Sequence, residues 1–153
     1  MIKSNILNSA MERKGYKFRL NITNSDIENK LTRFAGSCRF VWNKALALVK
    51  QDDDTYQRAV EALTLSGAGE AETRQISRNF KFNPYHQLSS LLPKWKLESA
   101  TAFLADSYSK SLQITLEELA QAITEAKSKT NPKKYPVFKK RGVKDSFSFN
   151  GAI

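Results

Sequence analysis

Between Ile27 and Leu48 the apolar side chains recur at steps of four and three: Ile27, Leu31, Phe34, Cys38, Val41, Ala45 and Leu48. That spacing follows the 3.6-residue turn, so this stretch is confined to a helix with one buried face. Each large side chain it buries contributes roughly 1.5–3 kcal/mol. Thr23 or Ser25 can cap the helix, with Asp26 or Glu28 closing a capping box. Gly36 inside the stripe costs about 1 kcal/mol against alanine and suggests the close approach of another backbone.

Just before this helix, Tyr16-Lys17-Phe18-Arg19-Leu20-Asn21-Ile22 alternates apolar and polar residues, which predicts a strand. Beyond the helix, Asp52-Asp53-Asp54 is expected to open a second helix, its acids at the N-terminus that favours them, running to about Leu65. Ser66-Gly67-Ala68-Gly69 ends it, and a polar loop is expected to about Ser77. A short helix around Tyr85–Leu92 should stop at Pro93. A last long helix, capped by Asp106 or Ser107, carries Leu112, Leu116, Leu119, Ile123 and Ala126 at four-three spacing and ends near Lys129, where Asn131-Pro132 breaks it. Tyr135–Lys140 and Ser146–Ile153 read as extended segments joined by a turn at Arg141-Gly142. The fold class expected is mainly α with a small β part: one strand, a helical insertion of roughly a hundred residues, and further strands. One strand and a short hairpin make a poor sheet, so the chain is expected to stop within a domain and its strands to be poorly stable alone.

Charge separates into blocks along this layout. The net charge is +10, from 25 lysines and arginines against 15 carboxylates. The cationic excess lies at both ends and in residues 73–97, while residues 51–72 are acidic. Such an excess attracts polyanions, although a merely soluble basic protein or a membrane-surface binder fits the composition too. One cysteine, Cys38, excludes an intrachain disulfide and a cysteine-built zinc site, and one histidine, His86, argues against a histidine cluster. On the apolar stripe Cys38 reads as core packing. A reducing, cytoplasmic compartment suits this usage, and no apolar run is long enough to cross a bilayer.

Two motifs carry chemistry. In Lys133-Lys134-Tyr135-Pro136-Val137-Phe138-Lys139-Lys140-Arg141-Gly142, cations that pair with phosphates alternate with rings on which bases stack. As a strand, Tyr135, Val137 and Lys139 would share one side, with Phe138 and Lys140 on the other; a solvated edge strand guarded by lysines is the alternative. In Arg39-Phe40-Val41-Trp42-Asn43-Lys44, Arg39 and Asn43 stand one helical turn apart, as do Phe40 and Lys44. Arginine can grip guanine or phosphate and asparagine can pair with adenine, while Phe40 and Trp42 are commonly core. Neither Glu117-Glu118 nor Asp52–Asp54 forms a catalytic pair, and no phosphate loop, Ser/His/Asp set or metal pair is present. Catalytic residues, metal ligands and cofactors are all expected to be absent.

These residues together resemble a family. Tyr16–Leu20, Cys38-Arg39-Phe40-Val41-Trp42-Asn43-Lys44-Ala45-Leu46, Ser111–Leu119, and Lys134–Gly142 with Asp145-Ser146-Phe147 look like the N-terminal region of TnpB (OrfB) proteins of bacterial insertion sequences, relatives of type V CRISPR nucleases. The resemblance implies a wedge-type β-barrel, left incomplete here, whose first strand is parted from the rest by a helical recognition insertion of helix-turn-helix type. Its divisions would be an N-terminal extension at 1–14, disordered; the first strand at 15–23; the insertion at 24–130; and a basic hairpin at 131–153. It further implies binding of DNA and a guide-type RNA in a bacterial, nucleoid-associated setting, with cleavage left to a downstream RuvC-like domain. The residues expected to touch nucleic acid are Lys17, Arg19, Arg39, Asn43, Lys44, Lys133, Lys134, Tyr135, Lys139, Lys140, Arg141 and Lys144. The competing readings are a piece of a complete RNA-guided endonuclease and a small helical protein-interaction module.

Overall fold

The computed structural model describes residues 16, 19, 21–79, 84–130, 132–143 and 145–149. They form four α-helices, α1 (Ser25–Leu65), α2 (Glu70–Asn79), α3 (Pro84–Leu97) and α4 (Ser109–Ala126), with a 3₁₀ helix at Ser99–Asp106 between the last two. The protein is mainly helical, and no strand occurs among the described residues. Helix α1 packs across α4, α3 packs on the 3₁₀ helix and α4, and α2 folds back on α1.

At 41 residues, α1 is about 60 Å long. Its N-cap is Asn24, rather than Thr23 or Ser25; the Asn24 Oδ1 accepts the backbone N–H groups of Asp26 at 2.8 Å and Ile27 at 3.3 Å. The expected break at Asp52–Asp54 does not occur. No glycine or proline interrupts residues 37–65, and Asp53 is held from the side, accepting a hydrogen bond from Lys127 Nζ at 2.6 Å and one from the Tyr135 hydroxyl at 3.0 Å. The acids therefore lie mid-helix and cap nothing. At the far end Gly67, at φ 72°, closes the helix: its N–H donates to Thr64 O at 3.2 Å and that of Ala68 to Leu63 O at 3.1 Å. Paired bonds of this kind stop a helix on a left-handed residue, and glycine adopts that backbone freely.

The polar loop expected to Ser77 is instead α2. Glu72 reaches back to the Gly69 N–H at 2.9 Å and satisfies an otherwise unpaired donor at the helix start. Pro93 sits inside α3 and does not end it. Leu88, Leu92 and Trp95 are all buried on one face, whereas Pro93 faces solvent; burial of three large side chains outweighs the cost of about 3 kcal/mol for an interior proline. Helix α4 begins after Tyr108, not at Asp106 or Ser107. Ser107 is spent elsewhere, its hydroxyl donating to Ser37 Oγ at 2.7 Å in the buried joint between the two segments.

The core gathers Cys38, Val41, Ala45, Leu46 and Val49 of α1, the three α3 residues, Leu104, and Leu112, Leu116, Leu119 and Ile123 of α4. Of the α4 stripe its spacing predicts, Leu112, Leu116, Leu119 and Ile123 are buried, while Ala126 at its end is half-buried. Only the middle of the α1 stripe is buried: Ile27 is 51% exposed, because the helix outruns the elements that cover it. Burial also pushes the Cys38 thiol up from its ordinary pKa. Among the described residues, a Cβ added at Gly36 would meet only Arg39 Nη2, at 3.8 Å, so no other described backbone lies against it.

After α4 the chain turns back and runs along α1 as a strap, residues 132–143 and 145–149, extended apart from a turn at 141–143. The expected hairpin over 131–153 is not seen among the described residues, because the strap's anchors are side chains of α1 and α4 rather than a neighbouring strand. Nor does the alternation hold: Pro136 is buried next to half-buried Tyr135, while Val137 and Phe138 both face outward. Of the strand expected at 15–23, residues 15, 17, 18 and 20 lie outside the described residues, as do the 1–14 extension and residues 150–153.

Candidate nucleic-acid interface

The row Arg39, Asn43 of α1 faces the strap. Asn43 binds the strap backbone on both sides of one residue, its Nδ2 donating to Lys139 O at 3.0 Å and its Oδ1 accepting the Lys139 N–H at 2.8 Å. Trp42 Nε1 donates to Val137 O at 3.0 Å, and the Lys139 ammonium lies over the Trp42 ring, 4.0 Å from its centre. Arg39 donates to Asp145 at 2.5 Å, and the other Asp145 oxygen accepts the N–H of Gly142, at φ 73° in the turn, at 3.0 Å. The Arg39 hydrogen bond, then the Gly142 N–H, hold the Asp145 carboxyl below its ordinary pKa. Farther along, the Ser111 hydroxyl donates to Ser148 O at 2.7 Å.

The neighbouring row, Phe40 and Lys44, faces the 3₁₀ helix. Phe40 meets Phe103 edge to face at 5.2 Å, and Lys44 pairs with Glu98 at 2.9 Å while resting 5.0 Å over the Trp95 ring. Between the two elements lies a cleft of about 720 Å³ whose walls include Lys30, Arg33, Phe34 and Phe103. Phe34 was read from the sequence only as part of the apolar stripe, and Lys30, Arg33 and Phe103 were not singled out. Arg33 lies two turns before Phe40 on the same helix and Lys30 one turn farther, which was the available signal; nothing local distinguishes Phe103.

Of the expected contact residues, the fold spends several internally. Lys133 pairs with Glu125 at 3.0 Å, and Tyr135, whose pKa is pushed up to about 12 by burial and by its bond to Asp53, is fixed to α1. Arg39, Asn43, Lys44 and Lys139 hold the strap and the cleft wall as described. Arg19, Lys134, Lys140 and Arg141 are exposed. The ammonium groups of Lys134 and Lys140 have no hydrogen bond or ion pair among the described residues, and Arg141 adds its charge beside Asp145. Lys17 and Lys144 lie outside the described residues. Among the described residues no three His, Cys, Asp or Glu side chains gather to hold a metal ion, and no helix is long and apolar enough to cross a membrane.

Free cations beside exposed rings on a helical scaffold meet a match at the level of class: residues 11–57 match a helix-turn-helix domain, that of the OrfB proteins of the IS605 type. The particular resemblance is equally plain. The chain is 32% identical over 136 residues to a protein of Escherichia coli (strain K12) named as an RNA-guided DNA endonuclease, InsQ. That alignment takes in 89% of this chain and 27% of the relative, so the chain spans about a quarter of the relative's length. Together these matches show the likeness to the TnpB/OrfB family that the sequence motifs carry. No solved structure matches. The helix-turn-helix name falls on a span whose described helix is single, since α1 passes through residue 57 without a turn.

Proposed function

We propose that this chain binds nucleic acid without performing chemistry on it, as the gripping part of a TnpB-like protein whose partners are DNA and a guide-type RNA. The observation that carries the reading is the exposed cation set of the strap, Lys134 and Lys140 with Arg141, displayed on a segment that α1 anchors at four residues, Tyr135, Val137, Lys139 and Asp145. Those cations contact phosphates; Arg39, Asn43, Lys133, Tyr135 and Lys139 place them. In the same reading the strap becomes barrel strand where another strand meets it, its backbone already extended. Phosphate contacts supply affinity and carry no sequence information.

The test is the salt dependence of binding. With Lys134, Lys140 and Arg141 replaced by alanine, the log–log salt slope on duplex DNA should flatten by about 2.7, at roughly 0.9 per phosphate contact, and affinity should fall alike on all sequences. An unchanged slope would reduce the basic strap to a solubility device and remove the reading.

A further inference from the structure

We infer that the cleft between the front half of α1 and the 3₁₀ helix takes one unpaired nucleotide of a single strand. The inference rests on the nucleic-acid reading but concerns a different surface from the strap cations. At about 720 Å³ the cleft falls within the size range of small-ligand sites, too confined for a duplex and open enough for a base splayed out of a strand.

Its walls divide by chemistry. Phe103 is 45% exposed although large and apolar, and Phe40, edge-on at 5.2 Å, fixes its ring. A ring held in place and left uncovered is a surface on which a base can stack, whichever base it is. Lys30 and Arg33, three residues apart on α1, are exposed cations whose side chains have no ion pair or hydrogen bond among the described residues. They supply the positive charge that a phosphate flanking the stacked base needs. Asp26 and Asp106 also line the cleft. Carboxylates repel phosphate, and they suit the exocyclic amino groups on the edge of adenine, cytosine or guanine. An acyl chain or an apolar peptide would leave these four charges unanswered, whereas a nucleotide answers both signs.

The experiment uses the full chain and short oligonucleotides, single-stranded RNA, single-stranded DNA and duplex, each with a fluorescent adenine analogue at one position. Stacking in the cleft should quench the analogue in a single strand and leave it unchanged in the duplex. Phe103→Leu, which keeps an apolar side chain against Phe40, should weaken single-strand binding about five-fold or more and abolish the quenching, and Phe103→Trp should restore both. Replacing Lys30 and Arg33 with glutamine should flatten the single-strand salt slope by about 1.4. All three changes should leave duplex affinity within two-fold, roughly the scatter of additive, distant sites. RNA and DNA strands separate the role of the sugar hydroxyl, and quenching with either supports the cleft. If single strands bind Phe103→Leu and the Lys30/Arg33 variant as tightly as the parent, while the strap variant still binds weakly, the cleft inference falls and the strap reading stands. Should the parent bind neither strands nor duplex, both fall together.

Discussion

Asn43→Ala isolates the hold of α1 on the strap. The side-chain amide makes two hydrogen bonds to one strap residue, at 3.0 and 2.8 Å, and alanine makes neither. At a net 0.5–1.5 kcal/mol for each bond, the loss is about 1–3 kcal/mol. The other anchors, Tyr135 to Asp53, Trp42 to Val137 O and Arg39 to Asp145, remain, as does the apolar core. The change should therefore appear as local opening of the strap and not as unfolding of the helices. Hydrogen exchange at the Lys139 amide should accelerate by roughly 5- to 150-fold, the same free energy expressed as an opening constant. Amides around Val41 and Leu116 should exchange at unchanged rates. Lys44→Ala serves as the control, because Lys44 lies on the other row and pairs with Glu98. Unchanged exchange at Lys139, or acceleration spread equally through α1 and α4, would refute the clamp.

Gly36→Ala should stabilise the protein by about 1 kcal/mol, since among the described residues the only atom within reach of the new Cβ is the flexible Arg39 terminus; a thermal melt raised by roughly 2–4 °C is expected, and a lowered one would mean a further backbone contact. Tyr135 should ionise near pH 12 rather than 10. Because its folded pKa is raised, its contribution to stability is complete below pH 10 and lost as pH rises towards 12, and Asp53→Asn should bring the tyrosinate absorbance transition down. Asp145 behaves with the opposite sign: its folded pKa is lowered, so its hold on Arg39 and Gly142 persists above the ordinary carboxylate pKa of about 4 and is lost as pH falls further. The Gly142 amide resonance should report that transition, and Asp145→Asn should erase it.

Periodicity in the sequence determined that Leu112, Leu116, Leu119 and Ile123 share a buried face and that Cys38, Val41 and Ala45 do the same, and the glycines of Ser66–Gly69 marked a helix end near Leu65, though of a helix expected to be the second. Such features are written locally, in steps of three and four and in a residue that tolerates positive φ. The basic, aromatic character of residues 133–142 and the family likeness were equally legible. Spacing, however, reports which residues share a face and not what that face meets. Asp52–Asp54 carries the local signature of a helix start, yet the partners of Asp53 lie 74 and 82 residues away and set it mid-helix. Pro93 carries the signature of a stop, overridden because Trp95 beyond it has a core to enter. Asn43 offered the donor and acceptor of an adenine reader, and the fold turned both towards a backbone 96 residues on. Phe103 reads as one more core residue in an apolar stretch; only the crossing of the 3₁₀ helix over α1 leaves its ring beside Lys30 and Arg33, because that crossing leaves a cleft there instead of a packed joint.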